Sequence, residues 1–267
     1  MDLWLYYQRV DVFLLILVRI LAFFLAAPVF SSSNIAGMVK IGLASAVSFL
    51  IFTSGQAEPA VSGALYTESV PGFFLLVISE FMIGFTAGFT VSMAFNLVLF
   101  AGQLLDFQIG FSMVSVFDPV SQIQVPIVGN LLNLTVTALL VQSGGLHALL
   151  SALFFSYEAL PIGHAFFTGN GRLIWRLLET LMSFMSIAVQ ICIPIVGALL
   201  IIDISMGLLV KAVPQMNVFV VGMPIKLLAG LLLLAMLTPM FSGVYQITFE
   251  QAMKALTQIL KGMSAFA

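Results

Sequence analysis

The chain has 267 residues, of which 61% are hydrophobic and only 7% are charged, and its formal net charge is −2. An ordinary soluble domain carries roughly 25% charged residues, so this composition excludes a water-soluble fold and predicts a membrane protein. The small net charge, with no block of like charges, excludes an electrostatic surface for nucleic acid or anionic lipid.

Long uncharged apolar runs predict that the chain can cross a bilayer about six times. Most of these runs reach the roughly 20 residues that a helix needs to cross a hydrocarbon core about 30 Å thick. They cover residues 20–39, 41–57, 81–105, 119–157, 180–202 and 227–249.

The first predicted helix covers about residues 10–27 and ends at Pro28. Its aromatic, amphipathic start differs from a secretory signal peptide, which begins with basic residues and ends at a small-residue cleavage site, so we expect this helix to be retained. Arg19 lies near its middle, and two interpretations stay open: snorkelling toward the interface, or burial beside a partner. A second helix over about 36–53 completes a helical hairpin.

A polar loop over 54–71 is expected before the third helix, which is predicted over about 73–100. Gly84 and Gly88 in this helix form a small-xxx-small pair, which lets helix backbones approach closely within a membrane. Residues 102–126 then combine glycines and prolines with apolar side chains, and irregular backbone at membrane depth is tolerated only inside protein or along a cavity.

The second half of the chain is predicted to contain three further apolar segments and an amphipathic end helix. Pro194 is expected to kink the second of these segments by removing a backbone donor. The predicted elements are a segment over 127–160 that breaks at Gly144 and Gly145, a polar hinge over 161–171, segments over 173–200 and 225–245, and the end helix over 249–267.

Catalytic and metal-binding residues do not form usable clusters in this sequence. The two histidines have no carboxylate on the same helix face, the single Cys192 has no second thiol to pair with, and no glycine-rich loop precedes Lys-Ser or Lys-Thr. We therefore predict no enzyme activity, no metal site and no cofactor.

Three carboxylates, Glu80, Asp106 and Asp203, lie within or beside the apolar segments. They could carry coupling protons in a small-solute secondary transporter, although no clear internal repeat of the kind common in transporters is visible. Alternatively, they cap helix ends or pair with arginine and lysine. The residues alone favour this structural role and leave the transporter as the alternative function.

The chain resembles the FliR family of flagellar protein-export components, related to injectisome export proteins. The strongest motif is AGQLLDFQIGFS at 101–112, continued by VFDP at 116–119 and QVP at 124–126. Three further motifs occur in the family's order: APVF at 27–30, KIGLA at 40–44 and KAVPQMNVF at 211–219. The first and last of these favour the flagellar system. Residues 34–37 depart from the pattern, because a proline would be expected after Ile35.

The resemblance implies an all-α membrane protein of helical hairpins with kinked helices, forming a single FliR-type domain over 1–267. A FliP-like part (1–200) would be joined to a FliQ-like hairpin and tail (201–267). The chain would be one subunit of a hetero-oligomeric helical export gate with FliP and FliQ, beside FlhB and FlhA. Exported flagellar proteins would pass unfolded through this gate, at the flagellar basal body in the bacterial cytoplasmic (inner) membrane. Assembly would draw the apolar helices into a cone largely beyond the bilayer plane.

The resemblance also implies two functional segments. Apolar side chains on a loop can close a pore by excluding water, and an unbranched methionine adapts its shape as substrate passes. The plug segment that would close the channel comprises Phe107, Gly110, Phe111, Met113, Val116, Phe117, Asp118 and Pro119. The hairpin turn that would lie at the cytoplasmic mouth comprises Pro214, Gln215, Met216 and Asn217. An ordinary connector and a plain helix-helix turn remain the alternatives.

Overall fold

The computed structural model describes residues 10–32, 35–54, 70–111, 126–162, 172–215 and 217–264, and the regular elements within these ranges are all helical. This confirms the all-α prediction for the described part of the chain. The elements are α1 (Val10–Ala26), α2 (Gly37–Ser54), α3 (Val70–Ile109), α4 (Ile127–Gln142), α5 (Gly145–Ala159), α6 (Arg172–Ala212), α7 (Val218–Leu237), a 3-10 turn (Thr238–Met240) and α8 (Phe241–Ser264).

The number of candidate membrane spans is smaller than the sequence predicts. Four helical stretches of the described chain are long and apolar enough to cross a membrane, or five if α4 and α5 form one broken span. Helix α1 is described over 17 residues, Val10–Ala26. The predicted break at Gly144 is confirmed, since α4 and α5 are sharply bent there and Gly144 adopts a positive φ of 76°.

Two helices extend further than predicted. Helix α3 continues to Ile109, so the expectation of irregular backbone is wrong for residues 102–109. Gly102 serves there as a close-packing residue within the helix: an added Cβ would lie 2.2 Å from the Cα atom of Gly129. Helix α6 continues through Pro194 to Ala212, beyond the predicted end at residue 200, and the kink at Pro194 stays a prediction.

The described helices belong to two compact units, each assembled from separate stretches of the chain. The first unit comprises Met1–Met93, Gly144–Leu181 and Glu250–Ala267. In it, Phe13 near the start of α1 meets Phe52 near the end of α2 edge to face, with ring centroids 5.9 Å apart. This pairing of opposite ends confirms the predicted antiparallel hairpin.

Helices α1 and α3 approach closely at the predicted pair of glycines. An added Cβ at Gly84 would lie 2.1 Å from the carbonyl oxygen of Arg19, and one at Gly88 would lie 2.6 Å from that of Phe23. Any larger side chain would force the backbones apart. The close approach of helix backbones that the small-xxx-small pair predicts is therefore confirmed.

The end helix α8 is amphipathic, as predicted, although it begins at Phe241 instead of near residue 249. Within the first unit, its inward face buries Leu256, Ile259 and Leu260, while Lys254 and Lys261 are exposed. Apolar residues at helical spacing thus define the packing face.

The second unit comprises Ala94–Ser143 and Met182–Phe249. It contains the end of α3, all of α4, most of α6, all of α7, the 3-10 turn and the start of α8. Buried Cys192 donates its thiol hydrogen to the carbonyl oxygen of Ala101 at 3.1 Å, in keeping with a packing role. The predicted division at residue 200 falls inside helix α6 and stays a prediction.

Candidate functional site

A fully buried ion pair joins α1 to α3 in the first unit. Arg19 Nε donates to Glu80 Oε2 at 2.5 Å, and the two side chains are 0% and 1% exposed. Nη1 of Arg19 also donates to the carbonyl oxygens of Ser156 and Leu160 at 3.1 and 2.9 Å. Of the two interpretations of Arg19, burial beside a partner is the correct one.

Helix α5 completes the surroundings of the Arg19 guanidinium. The carbon Cζ of Arg19 lies 4.2 Å from the ring centroid of Tyr157, in a cation–π arrangement. The hydroxyl of Tyr157 in turn donates to the carbonyl oxygen of Ile16 at 3.3 Å. One buried cation therefore ties three helices together, and removing either partner of such a pair is strongly destabilising.

Asp106 caps a helix in the second unit. Its Oδ1 and Oδ2 accept the backbone N–H groups of Val128 and Gly129 at 2.9 and 3.1 Å. These groups belong to the first turn of α4, whose own N-cap, Pro126, makes no side-chain capping bond. A carboxylate is the favoured partner there, because the N-terminal N–H groups of a helix lack intrahelical acceptors and carry partial positive charge.

Asp203 forms the third polar site, also in the second unit. Lys226 Nζ lies 2.9 Å from its Oδ1 and 3.0 Å from its Oδ2, and Gln108 Nε2 donates to Oδ2 at 3.2 Å. The lysine and aspartate side chains are 23% and 38% exposed. Helices α3, α6 and α7 therefore meet at this cluster.

All three carboxylates thus have structural partners: Glu80 pairs with arginine, Asp106 caps a helix, and Asp203 pairs with lysine. The structural interpretation of these residues is confirmed. The transporter alternative is therefore not needed to explain why these three carboxylates lie within or beside apolar segments.

Only the start of the plug segment is described. Phe107 lies on the outer face of α3 and is 74% exposed, and Phe111 is half-buried. Gly110 terminates α3 with a positive φ of 101°, which glycine adopts without strain, and its N–H donates to the carbonyl oxygen of Asp106 at 3.1 Å. The other members, Met113, Val116, Phe117, Asp118 and Pro119, lie outside the described residues.

The hairpin turn connects α6 and α7. Pro214 and Gln215 form an exposed turn, and the carbonyl oxygen of Asn217 accepts the N–H of Val220 at 3.1 Å at the start of α7. Met216 lies outside the described residues. The two helices are antiparallel here, because Asp203 and Lys226 meet at similar distances from the turn along each helix.

Several residues that build these sites were missed by sequence reasoning: Gly102, Gln108, Gly129, Lys226 and Gly230. Each site combines an ionisable residue with a glycine four positions away on the same helix face, as in Glu80 with Gly84. This spacing is visible in the sequence and could have indicated these sites. The contacts between helices could not be predicted from it, since they depend on tertiary packing.

These features define a helical membrane protein whose buried charges are structural. No group of three or more potential metal ligands occurs in the described ranges. The known family described as "Bacterial export proteins, family 1" matches residues 10–252. The chain belongs to this family, and is therefore a membrane component of an export apparatus and not an enzyme.

Individual relatives agree with this assignment. The chain is 27% identical to "Flagellar biosynthetic protein FliR" of Bacillus subtilis, over 93% of this chain and 94% of the relative. It is 32% identical to the protein of that name from Pectobacterium carotovorum, over 93% and 92%. "Yop proteins translocation protein T" of Yersinia pestis is 29% identical, over 85% and 86%. The predicted membership of the FliR family is confirmed.

Proposed function

We propose that the chain is a core subunit of a flagellar type III protein-export gate in the bacterial cytoplasmic (inner) membrane, at the flagellar basal body. With FliP and FliQ, and beside FlhB and FlhA, it forms the channel through which unfolded flagellar proteins leave the cell. Family membership and the flagellar names of its relatives support this proposal. Large apolar side chains exposed along α6 and α7 provide surfaces for partner helices or lipid.

The observation that carries the plug proposal is the clamp between the end of α3 and the start of α4. Asp106 holds the first turn of α4, and Gly102 packs against Gly129 one turn further back along α3. The chain thus leaves α3 and returns to α4 at one fixed place. Such a base suits a loop that must occupy a channel reproducibly, and exposed Phe107 begins its apolar surface.

The hairpin turn is proposed to lie at the cytoplasmic mouth, where substrates enter. Its backbone supports a tight reversal, because proline presets φ for a turn and Asn217 caps the start of α7 through its carbonyl oxygen. Gln215 and Asn217 are exposed and carry amide groups that can donate and accept hydrogen bonds. The Gln215 amide can bind partner backbone or an extended substrate.

The plug is tested by shortening 110–120 in the assembled gate and measuring ion conductance in lipid bilayers. The apolar seal would be lost, so conductance of the closed complex should rise several-fold. A deletion of equal length within 55–69, the predicted exposed loop, is the matched control and should leave conductance at the parent level. Unchanged conductance after the 110–120 deletion, in a complex that still assembles, would show that this segment is not the plug.

Copurification tests the wider proposal. The tagged chain should be recovered in a stoichiometric complex with FliP and FliQ. Recovery of a stable lone chain or homo-oligomer from cells that make all three proteins would contradict the gate assignment.

A further inference from the structure

The last turn of α3 contacts two different parts of the second unit. Asp106 points to α4, as described above, while the neighbouring Gln108 donates to Asp203 of α6. Ile109, which is 1% exposed, packs against Gly230 of α7: an added Cβ at Gly230 would lie 2.7 Å from Ile109 Cγ1. The same turn therefore supports the base of the plug segment and the α6–α7 hairpin.

The Asp203–Lys226 pair joins α6 to α7 beside the last turn of α3. Lys226 and Gly230 are four residues apart and share one face of α7, which is the face that meets α3. Lys226 neutralises Asp203, and Asp203 holds the amide of Gln108. Loss of the lysine charge would leave a carboxylate that attracts water into the contact between the hairpin and α3.

We infer that Asp203 and Lys226 are positioning residues that hold the α6–α7 hairpin against the last turn of α3, so that a movement of the hairpin shifts the base of the plug. This inference rests on the proposed function of the plug segment. It assigns the ion pair a role in coupling the two predicted functional segments.

The partial exposure of this pair suits it to such a role. A solvent-accessible ion pair contributes about 0–1 kcal/mol, since water can solvate both charges when they separate. The helices can thus part and rejoin without leaving a charge stranded in apolar surroundings. Gln108 can form hydrogen bonds whether the helices are together or apart, because its amide both donates and accepts.

Distance measurement between two spin labels tests the inference directly. The labels are placed at Gln103→Cys on α3 and Leu228→Cys on α7, two exposed positions outside the polar cluster. Cys192→Ser removes the native thiol and keeps a donor for Ala101. The labelled chain is studied in lipid, with the partners that copurify with it.

Three variants decide the outcome. Lys226→Asp should shift the label distance to longer values and broaden its distribution, because two carboxylates then face each other. The swap Asp203→Lys with Lys226→Asp should restore the parent distribution. Lys254→Asp, in the exposed Lys254–Glu250 pair of α8, is the control and should change nothing. An unchanged distribution in Lys226→Asp, or a swap that fails to restore it in a folded chain, overturns the inference.

Conductance of the same variants separates this inference from the proposed plug. Lys226→Asp should raise ion leakage several-fold and the swap should return it toward the parent level. If shortening 110–120 produces leakage while Lys226→Asp moves the labels without leakage, the plug stands and the coupling is wrong. If the shortening produces no leakage, the plug is wrong, and the label distances alone decide whether the pair positions α3.

Discussion

Within the described residues, two ion pairs join a basic and an acidic side chain on different helices, and they lie in different surroundings. Arg19–Glu80 in the first unit is excluded from solvent, whereas Lys226–Asp203 in the second is partly open to it. Each is accompanied by a glycine four residues further along a helix, Gly84 or Gly230, where that helix meets another chain segment closely. Both sites therefore combine an ion pair with a closely packed glycine, and they differ in solvent access.

Solvent access determines what each pair can do. Charges in a low-dielectric interior are costly to separate, because neither partner can be hydrated once the pair is broken. Arg19–Glu80 consequently fixes α1, α3 and α5 as a unit that is expected to unfold before it rearranges. Lys226–Asp203 can open at small cost. We therefore expect the first ion pair to be rigid and the second to be adjustable.

The largest expected effect follows from breaking the buried pair. Glu80→Gln leaves the Arg19 cation without a counter-charge, which should destabilise the folded chain by about 3–5 kcal/mol. The measurement is the thermal unfolding midpoint of the purified protein in detergent. Glu250→Gln removes the same charge from an exposed i,i+4 pair and is the matched control, with an expected loss below about 0.5 kcal/mol.

A double substitution separates burial of charge from loss of packing. Arg19→Met combined with Glu80→Leu removes both charges and keeps apolar volume, so much of the stability lost in Glu80→Gln should return. If the double variant is less stable than Glu80→Gln, the hydrogen bonds of Arg19 to α5, and not its charge balance, hold this site together.

The second effect concerns the glycine that accompanies the buried pair. Gly84→Ala would place a Cβ 2.1 Å from the carbonyl oxygen of Arg19, so α1 must move away and the Arg19–Glu80 pair is strained. Overpacking of this kind costs about 1–3 kcal/mol, again measured as a fall in unfolding midpoint. Gly197→Ala on α6, where an added Cβ meets nothing within 4 Å, should be neutral or stabilising by up to about 1 kcal/mol. Equal effects of the two would refute the close-contact argument.

Sequence patterns predicted the helices well, because apolar length and glycine or proline breaks are local signals. The hairpin of α1 and α2, the break at Gly144 and the amphipathic face of α8 were all of this kind. Residues 102–109 were mispredicted because glycine signals either flexibility or close packing. Only the position of Gly129 on another helix resolves that ambiguity.

The polar sites were predictable by type and not by partner. Arginine and carboxylates in apolar segments require compensation, so pairing or capping was expected of Glu80, Asp106 and Asp203. Which residue compensates which depends on helix packing over 61 positions for Arg19 with Glu80 and 22 for Asp106 with Val128. No pattern within a single helix contains that information.

Of the substitutions at the two interhelical ion pairs, the smaller effect on stability is expected at the partly exposed pair. Lys226→Gln should lower the free energy of unfolding by less than about 1 kcal/mol, because Asp203 can be hydrated where it lies. The difference from the parent should shrink as salt is raised, since the Debye length falls from about 10 Å at 0.1 M to about 3 Å at 1 M. Glu80→Gln, measured in parallel, should show no such salt dependence. A loss in Lys226→Gln as large as that in Glu80→Gln, and equally insensitive to salt, would mean that the second pair is as rigid as the first and cannot serve as an adjustable contact.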